Sequence, residues 1–396
     1  MFLYRDCDIC NSNTYNLLYT VHFAKELNEK IPDKYDIVYC DNCGFIFNNT
    51  DWDQKDYDEY YSKTTKYSSI SLAGSGGISD IDLYRYNRQI DRMENFITKD
   101  ISILDIGCAK GGLLRTFKSR GYDNLYGIDP SQNSVDILNS FGIDGTTLNF
   151  HDLSLLNKKF DVVILSQVLE HIYDLKGIKK SIYNILSDNG IIYIDVPNAS
   201  EYRSHYIKPF HYFDIDHINH FDENSIKNLF FECECLDYNE YSDIVVDDKK
   251  YPILYCIFRK KEINDKLNIN YDFIKKIEEY ISISKNNENY DCKDIDLTKN
   301  TFLWGGGAYL RRLLSDNRYF NNIKISGIID KNSSLKGNKI VDCRNNEIKF
   351  FTPDIVNNDK YANIIITSAL YSKQIYEELK NKDDFFGNVY IIDRKL

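Results

Sequence analysis

The stretch Ser102–Leu114, SILDIGCAKGGLL, limits what this chain can fold into more than any other. Apolar residues run into Asp105, a glycine follows at Gly107, a pair stands at Gly111 and Gly112, and the apolar run then continues. That order predicts a buried strand, a glycine-rich turn and a helix whose N-terminus faces whatever lies beyond the strand. Glycines there let a ligand approach the backbone closely, and the N–H groups of a first helical turn favour a negative group. The spacing Asp-x-Gly-x-x-x-Gly departs from the dinucleotide fingerprint G-x-G-x-x-G, in which no carboxylate precedes the glycines.

About twenty residues further on, LYGIDPS reads as a second short strand ending in Asp129, a distance at which a carboxylate can accept from both hydroxyls of a ribose. A third unit carries Asp152 in NFHDLS, and the strand FDVVILSQVLEH follows, with Ser166 near its end. This order resembles the class I methyltransferases that use S-adenosylmethionine. The resemblance implies that Asp105 and the turn residues Gly107, Cys108 and Gly111 hold the amino-acid end of that cofactor. Asp129 would then hold the ribose and Asp152 the adenine amine, with Ser166 in the same cofactor set. A glycine turn in some other doubly wound domain is the competing reading.

At 396 residues the chain calls for two or three domains. Its formal net charge of -11 argues against nucleic acid as the main partner, which needs a basic stripe. No apolar run reaches the roughly eighteen residues of a membrane span, and MFLYRDCDIC is not a signal peptide. A cytoplasmic protein without a membrane partner is expected. Ten cysteines in such a chain point to metal before cystine, because four of them form two CxxC pairs.

Those pairs are Cys7 with Cys10 and Cys40 with Cys43. Four thiolates make a closed tetrahedral zinc site with no open position, so the expected role is structural. A redox CxxC is the rival reading, but it needs one pair at a helix start rather than two beside strand-like segments. The lack of a basic flank favours a brace for the N-terminal segment over a nucleic-acid ribbon. Residues 51–69 are acidic and rich in tyrosine, and a Gly/Ser loop, SLAGSGGISD, follows and should be mobile. Tyr61 and Tyr67 lie in this arm, which reads equally as a lid over a substrate or as a packed connector.

From residue 100 to 260 strands and helices alternate. Helical stretches are LLRTFKSR, NSVDILNSF and IKKSIYNILSDNG, the last stopping at Gly190. A late antiparallel pair, ECECLDYNEY and YPILYCIFRK, closes the sheet. The expected divisions are 1–69, a zinc-binding segment with its tyrosine-rich arm; 70–262, the cofactor domain; 263–300, a helical linker; and 301–396, a smaller Rossmann-like domain. The last repeats strand, glycine turn and helix in TFLWGGGAYLRRLL, with Asp330 after a second strand and Ser368 after a third. It reads either as a holder for a phosphate-bearing substrate handle or as a structural lobe.

Four of the seven histidines fall in HYIKPFHYFDIDHINHFDE, after the strand YIDVPN. That places them over the C-terminal edge of the sheet, where open α/β domains bind ligands. Methyl transfer needs an aligned nucleophile and a route for its proton, and a histidine titrates in the right range. His217 beside Asp216 is the leading candidate, with His220 and Tyr212 in the same set. Metal binding by His217 and His220, and purely structural histidines, are the alternatives.

The whole layout resembles the sugar C-methyltransferases: two N-terminal CxxC pairs, a central methyltransferase domain, a histidine loop after the strand ending in Pro197, and a C-terminal lobe opening with WGGG. The resemblance implies an α/β protein with a class I doubly wound sheet, an N-terminal four-cysteine zinc-binding segment and a smaller C-terminal Rossmann-like domain. It implies S-adenosylmethionine and structural Zn2+ as cofactors, and a nucleotide-linked or phosphorylated small molecule as substrate, a precursor of a surface glycan. The family's Glu-His pair falls on Asp216 and His217; its preceding tyrosine is replaced, with Tyr212 a loose substitute. That replacement keeps N- or O-methylation of an amino-sugar or amino-acid-derived substituent open beside C-methylation. A non-catalytic zinc-ribbon module is the alternative of another class. A monomer or homodimer is expected.

Overall fold

The computed structural model describes residues 3–27, 32–63, 76–246, 249–261, 267–288 and 295–392. The chain forms two compact units. The first takes Met1–Leu17, Val38–His205 and Ile215–Glu278; the second takes Leu18–Ile37, Tyr206–Asp214 and Glu279–Leu396.

The first unit is built on seven strands: β1 (Ile103–Ile106), β2 (Leu125–Asp129), β3 (Asp144–Thr147), β4 (Phe160–Ser166), β5 (Leu186–Pro197), β6 (Glu234–Val246) and β7 (Lys249–Arg259). Their order in the sheet is β6-β7-β5-β4-β1-β2-β3. β1 to β5 pair in parallel, whereas β7 runs antiparallel to β5 and to β6. The mostly parallel sheet with a late hairpin is the expected class I methyltransferase arrangement.

Alternation along the strands sends side chains to two cores. On one face Ile103, Val162 and Ile164 meet helices α1 (Asp80–Met93), α2 (Gly112–Ser119) and α3 (Gln132–Ser140) through Ile90, Met93, Leu114, Phe117 and Leu138. On the other, Leu104, Val163 and Ile192 meet α4 (Leu175–Ile185) and α5 (Glu223–Leu229) through Ile178, Ile182, Ile226 and Leu229. Each fully buried aliphatic side chain contributes about 1.5–3 kcal/mol. Caps fix the helix starts: Ser79 accepts from the Asp82 N–H, Asp174 from Gly177, and Asp222 from Ser225. The helix expected to reach Gly190 stops at Ile185, and Leu186 begins β5 instead. Strand pairing of Leu186 with Phe160 outweighs the local helical pattern there.

The second unit has its own seven-stranded sheet, in the order Asn388–Ile391, Asn363–Ile366, Thr301–Trp304, Ile325–Ile329, Glu347–Phe351, Lys339–Val341 and Lys25–Glu26. Residues 18–37 belong to this unit because Lys25 and Glu26 pair with Val341 and Ile340. The Glu26 carboxylate meets the Arg311 guanidinium at 2.5 Å. Among the described residues no helix is long and apolar enough to cross a membrane.

Candidate active site

The turn after β1 is held from both sides. Gly107 and Gly111 stand at φ 71° and 74°, a backbone region that a side chain strains, and a Cβ on Gly111 would lie 2.3 Å from Leu138 Cδ1. The Asp129 carboxylate, at the end of β2, accepts from the Ala109 and Ser131 N–H groups, both at 2.9 Å. Burial pushes its pKa up, against the pull of those two donors. Asp105 is 3% exposed, and burial, followed by repulsion from Asp129 and Asp195, holds its carboxyl well above the usual carboxylate range. Asp105 thus shares a buried, acidic setting with Asp129 and Asp195.

One N–H of the helix N-terminus is already taken. The Gly112 N–H donates to the Gly76 carbonyl at 3.0 Å, and a Cβ on Gly112 would lie 2.1 Å from the Gly77 oxygen. The described part of the Gly/Ser loop thus packs on the cofactor turn; residues 71–75 lie outside the described residues, as does Tyr67.

Ser166 and Cys108 are committed to the protein. The Ser166 hydroxyl donates to Asp195 Oδ1 at 2.9 Å and accepts from Gln89 Nε2 at 2.9 Å. The Cys108 thiol is buried beside Gly127, where a Cβ would come within 2.7 Å of the sulfur, and burial raises its pKa strongly. Asp152 is exposed on the short 3-10 helix Phe150–Leu156 after β3.

The histidine loop meets the turn after β4. The Ile218 N–H donates to the Glu170 carbonyl at 2.7 Å, and Asn219 Nδ2 donates to the Leu169 and Ile172 carbonyls at 2.9 and 2.6 Å. The strand Asn219–His220 also pairs antiparallel with Ile46–Asn49, so the cysteine-bearing segment supports the same loop. These bonds bring His217 to 5.1 Å from His171, ring to ring. His171 Nδ1 lies 2.6 Å from the Asp216 carbonyl oxygen, and the Tyr61 hydroxyl donates to the same oxygen at 3.0 Å. Glu170 is 1% exposed and its carboxyl is raised well above the usual range by burial. A Cβ on Gly107 would lie 2.9 Å from Val168 Cγ2, which sets this cluster beside the cofactor turn.

His220 and Tyr212 do not join the cluster. His220 is fully buried, with Nε2 3.1 Å from Asn48 Oδ1, and burial followed by the Arg5 charge lowers its pKa to about 3. So weak a base is no proton acceptor at neutral pH, which corrects its placement in the catalytic set. Tyr212 belongs to the second unit, buried against Tyr280 with its phenol pushed up by that burial. Glu170 and His171 escaped the sequence reading, although an ionisable pair directly after a buried strand marks the edge where such sheets bind ligands.

The four cysteines form the second cluster, with their sulfurs within 4.8 Å of one another. Cys7 Sγ lies 3.6 Å from Cys43 Sγ, and Cys10 Sγ 3.5 Å from Cys40 Sγ. Around a tetrahedral ion with bonds of about 2.3 Å, sulfurs stand roughly 3.8 Å apart, so the donor set fits zinc. Two equal knuckles shape it: the Asn11 N–H returns to the Cys7 carbonyl and the Gly44 N–H to the Cys40 carbonyl, each at 2.9 Å, with Asn11 and Gly44 both left-handed.

In the second unit Asp330 repeats the part of Asp129. It accepts from the Gly306 and Asn332 N–H groups, both at 2.8 Å.

Residues 80–233 match the family described as "Methyltransferase domain". This segment is a class I S-adenosylmethionine-dependent methyltransferase domain. The ubiquinone biosynthesis O-methyltransferase of Pelagibacter ubique is 32% identical over 108 residues, 26% of this chain and 44% of that protein. Its counterpart in Bartonella tribocorum is 29% identical over 107 residues, 26% of this chain and 43% of that protein. The chain thus spans less than half the length of these curated relatives. A solved methyltransferase from Methanosarcina mazei superposes with a TM-score of 0.36 at 19% identity, over 43% of this chain and 98% of that one.

The methyltransferase domain yields a first prediction at Asp129. Asp129→Asn replaces one carboxylate oxygen by an amide donor facing a backbone N–H, and should weaken S-adenosylhomocysteine binding by about 1–3 kcal/mol. Isothermal calorimetry reads it, and unaltered affinity would place the ribose elsewhere.

Proposed function

We propose that the protein transfers the methyl group of S-adenosylmethionine to a nucleotide-linked sugar or a similar activated precursor of a surface glycan. The observation that carries this reading is the cluster of Tyr61, His171, Asp216 and His217 beside the glycine turn of the methyltransferase domain. The cofactor, when bound, supplies an electrophilic methyl at its sulfonium. Asp105 meets its ammonium, Asp129 its ribose and Asp152 its adenine amine. The histidine pair handles the proton the acceptor loses, and Tyr61 with the Asp216 carbonyl orients His171.

Residues 1–69 serve as a Zn2+-holding brace with its arm, 70–262 as the cofactor domain, 263–300 as a linker and 301–396 as the holder of the nucleotide handle. The Asp330 turn supports the last assignment. Methylation at oxygen or nitrogen of an amino-sugar or amino-acid-derived substituent is the second reading, favoured by the relatives named O-methyltransferases.

Thermal unfolding with S-adenosylhomocysteine present throughout, across a panel of nucleotides and nucleotide-sugars, tests the substrate class. A ligand at 100 times its Kd stabilises the native state by about 2.7 kcal/mol, a clear upward shift in Tm. A shift confined to one nucleotide series supports the handle. Shifts with S-adenosylhomocysteine alone would move the acceptor to an unactivated molecule.

A further inference from the structure

Three possible metal-binding side chains converge after β4. Glu170 Oε1 lies 3.8 Å from His171 Nε2, and ligand atoms of Glu170, His171 and His217 all lie within 4.8 Å of one another. The contact between His171 Nδ1 and the Asp216 carbonyl requires an N–H, because a carbonyl oxygen only accepts. With Nδ1–H donating to that carbonyl, and the Tyr61 hydroxyl 3.0 Å from the same nitrogen, Nε2 turns its lone pair to the Glu170 carboxyl. A backbone carbonyl on the far nitrogen is the outer-shell contact that orients metal-binding imidazoles. Glu170 is 1% exposed, and its Oε2 has no hydrogen-bond partner among the described residues.

A lone pair facing a buried carboxyl calls for a proton or a cation between them. A proton bridges one pair of atoms, whereas a metal ion binds all three side chains at once. Bonds of about 2.0–2.2 Å put adjacent ligand atoms roughly 3–3.5 Å apart, so the cluster needs only a small inward shift.

We propose that Glu170, His171 and His217 bind one divalent first-row transition-metal ion, leaving coordination positions open for an oxygen of the methyl acceptor. Two imidazoles and a carboxylate suit Mn2+, Fe2+, Co2+ or Zn2+. The proposal rests on the reading of this cluster as the acceptor site. Coordination would lower the pKa of the acceptor's O–H, whose proton passes to solvent water; the oxygen then takes the methyl from the sulfonium and leaves S-adenosylhomocysteine, so the histidine pair manages the acceptor's proton through the ion it holds.

The test is titration of the full chain with Mn2+, followed by the electron paramagnetic resonance signal of the free ion. Mn2+ discriminates against the four-thiolate site, which keeps the two clusters apart. The wild type should take up one equivalent, and Glu170→Gln and His171→Gln should each weaken uptake at least tenfold. His217→Gln gives an independent variant should the buried Glu170→Gln fold poorly. Calorimetry with S-adenosylhomocysteine, expected to be unchanged in the variants, reports folding of the cofactor domain. Wild-type protein that binds S-adenosylhomocysteine but takes up no Mn2+, or variants that take it up equally, would overturn the metal site. Failure to bind S-adenosylhomocysteine overturns the methyltransferase reading instead, and the Mn2+ titration judges the metal site by itself.

Discussion

Serine at Cys40 is expected to unfold the N-terminal knuckles and to lower the melting temperature of the whole first unit. Cys40 is 1% exposed and packs in the same core as Phe45, Phe47 and Phe221. A hydroxyl there leaves three sulfurs around an ion that needs four ligands, and loss of a structural metal is among the few mechanisms exceeding about 4 kcal/mol. For a unit of this size, about 2–4 °C per kcal/mol converts that into a fall of roughly 10 °C or more. Damage should also reach the active-site loop, because Ile46 and Phe47 pair with His220 and Asn219. Zinc content by mass spectrometry and thermal unfolding, measured together on Cys40→Ser, check this. A metal-free variant that keeps the wild-type melting temperature and turnover would contradict it.

The second large effect is expected at the histidine pair. His171→Ala and His217→Ala should each lower turnover by about 10²–10⁴-fold, the range for a group that manages the acceptor's proton. S-adenosylhomocysteine affinity should stay within a factor of two or so, because Asp105 and Asp129 lie on other strands. Tyr61→Phe removes one hydroxyl from the Asp216 carbonyl and leaves the 2.6 Å contact of His171 in place, so its loss should be smaller. Single-turnover kinetics with the acceptor found from the nucleotide panel separate chemistry from binding. An unchanged rate in His217→Ala removes that residue from the mechanism.

The two clusters differ in how far they can be read from local pattern. Cys7, Cys10, Cys40 and Cys43 announce themselves, because a CxxC knuckle is closed by bonds within five residues. His171 and His217 are separated by a whole helix, a whole strand and a loop, and nothing in their spacing says that they meet. The same holds for His220, whose neighbours in sequence make it look as available as His217. It is fully buried, with its Nε2 against Asn48, more than 170 residues away.

The order of strands, the glycine turn with Asp105 and Asp129, and the four-cysteine set were determined by the sequence alone. Periodicity, turn chemistry and ligand spacing act over a few residues, so they survive as patterns in the chain. Tertiary structure alone decided that Leu186 opens a strand and that residues 18–37 belong to the second unit. It also decided that the Gly76 carbonyl covers the first N–H of α2, and that Glu170, His171 and His217 converge. Each of these depends on which distant backbone groups are near enough to pair, a quantity that no local propensity encodes.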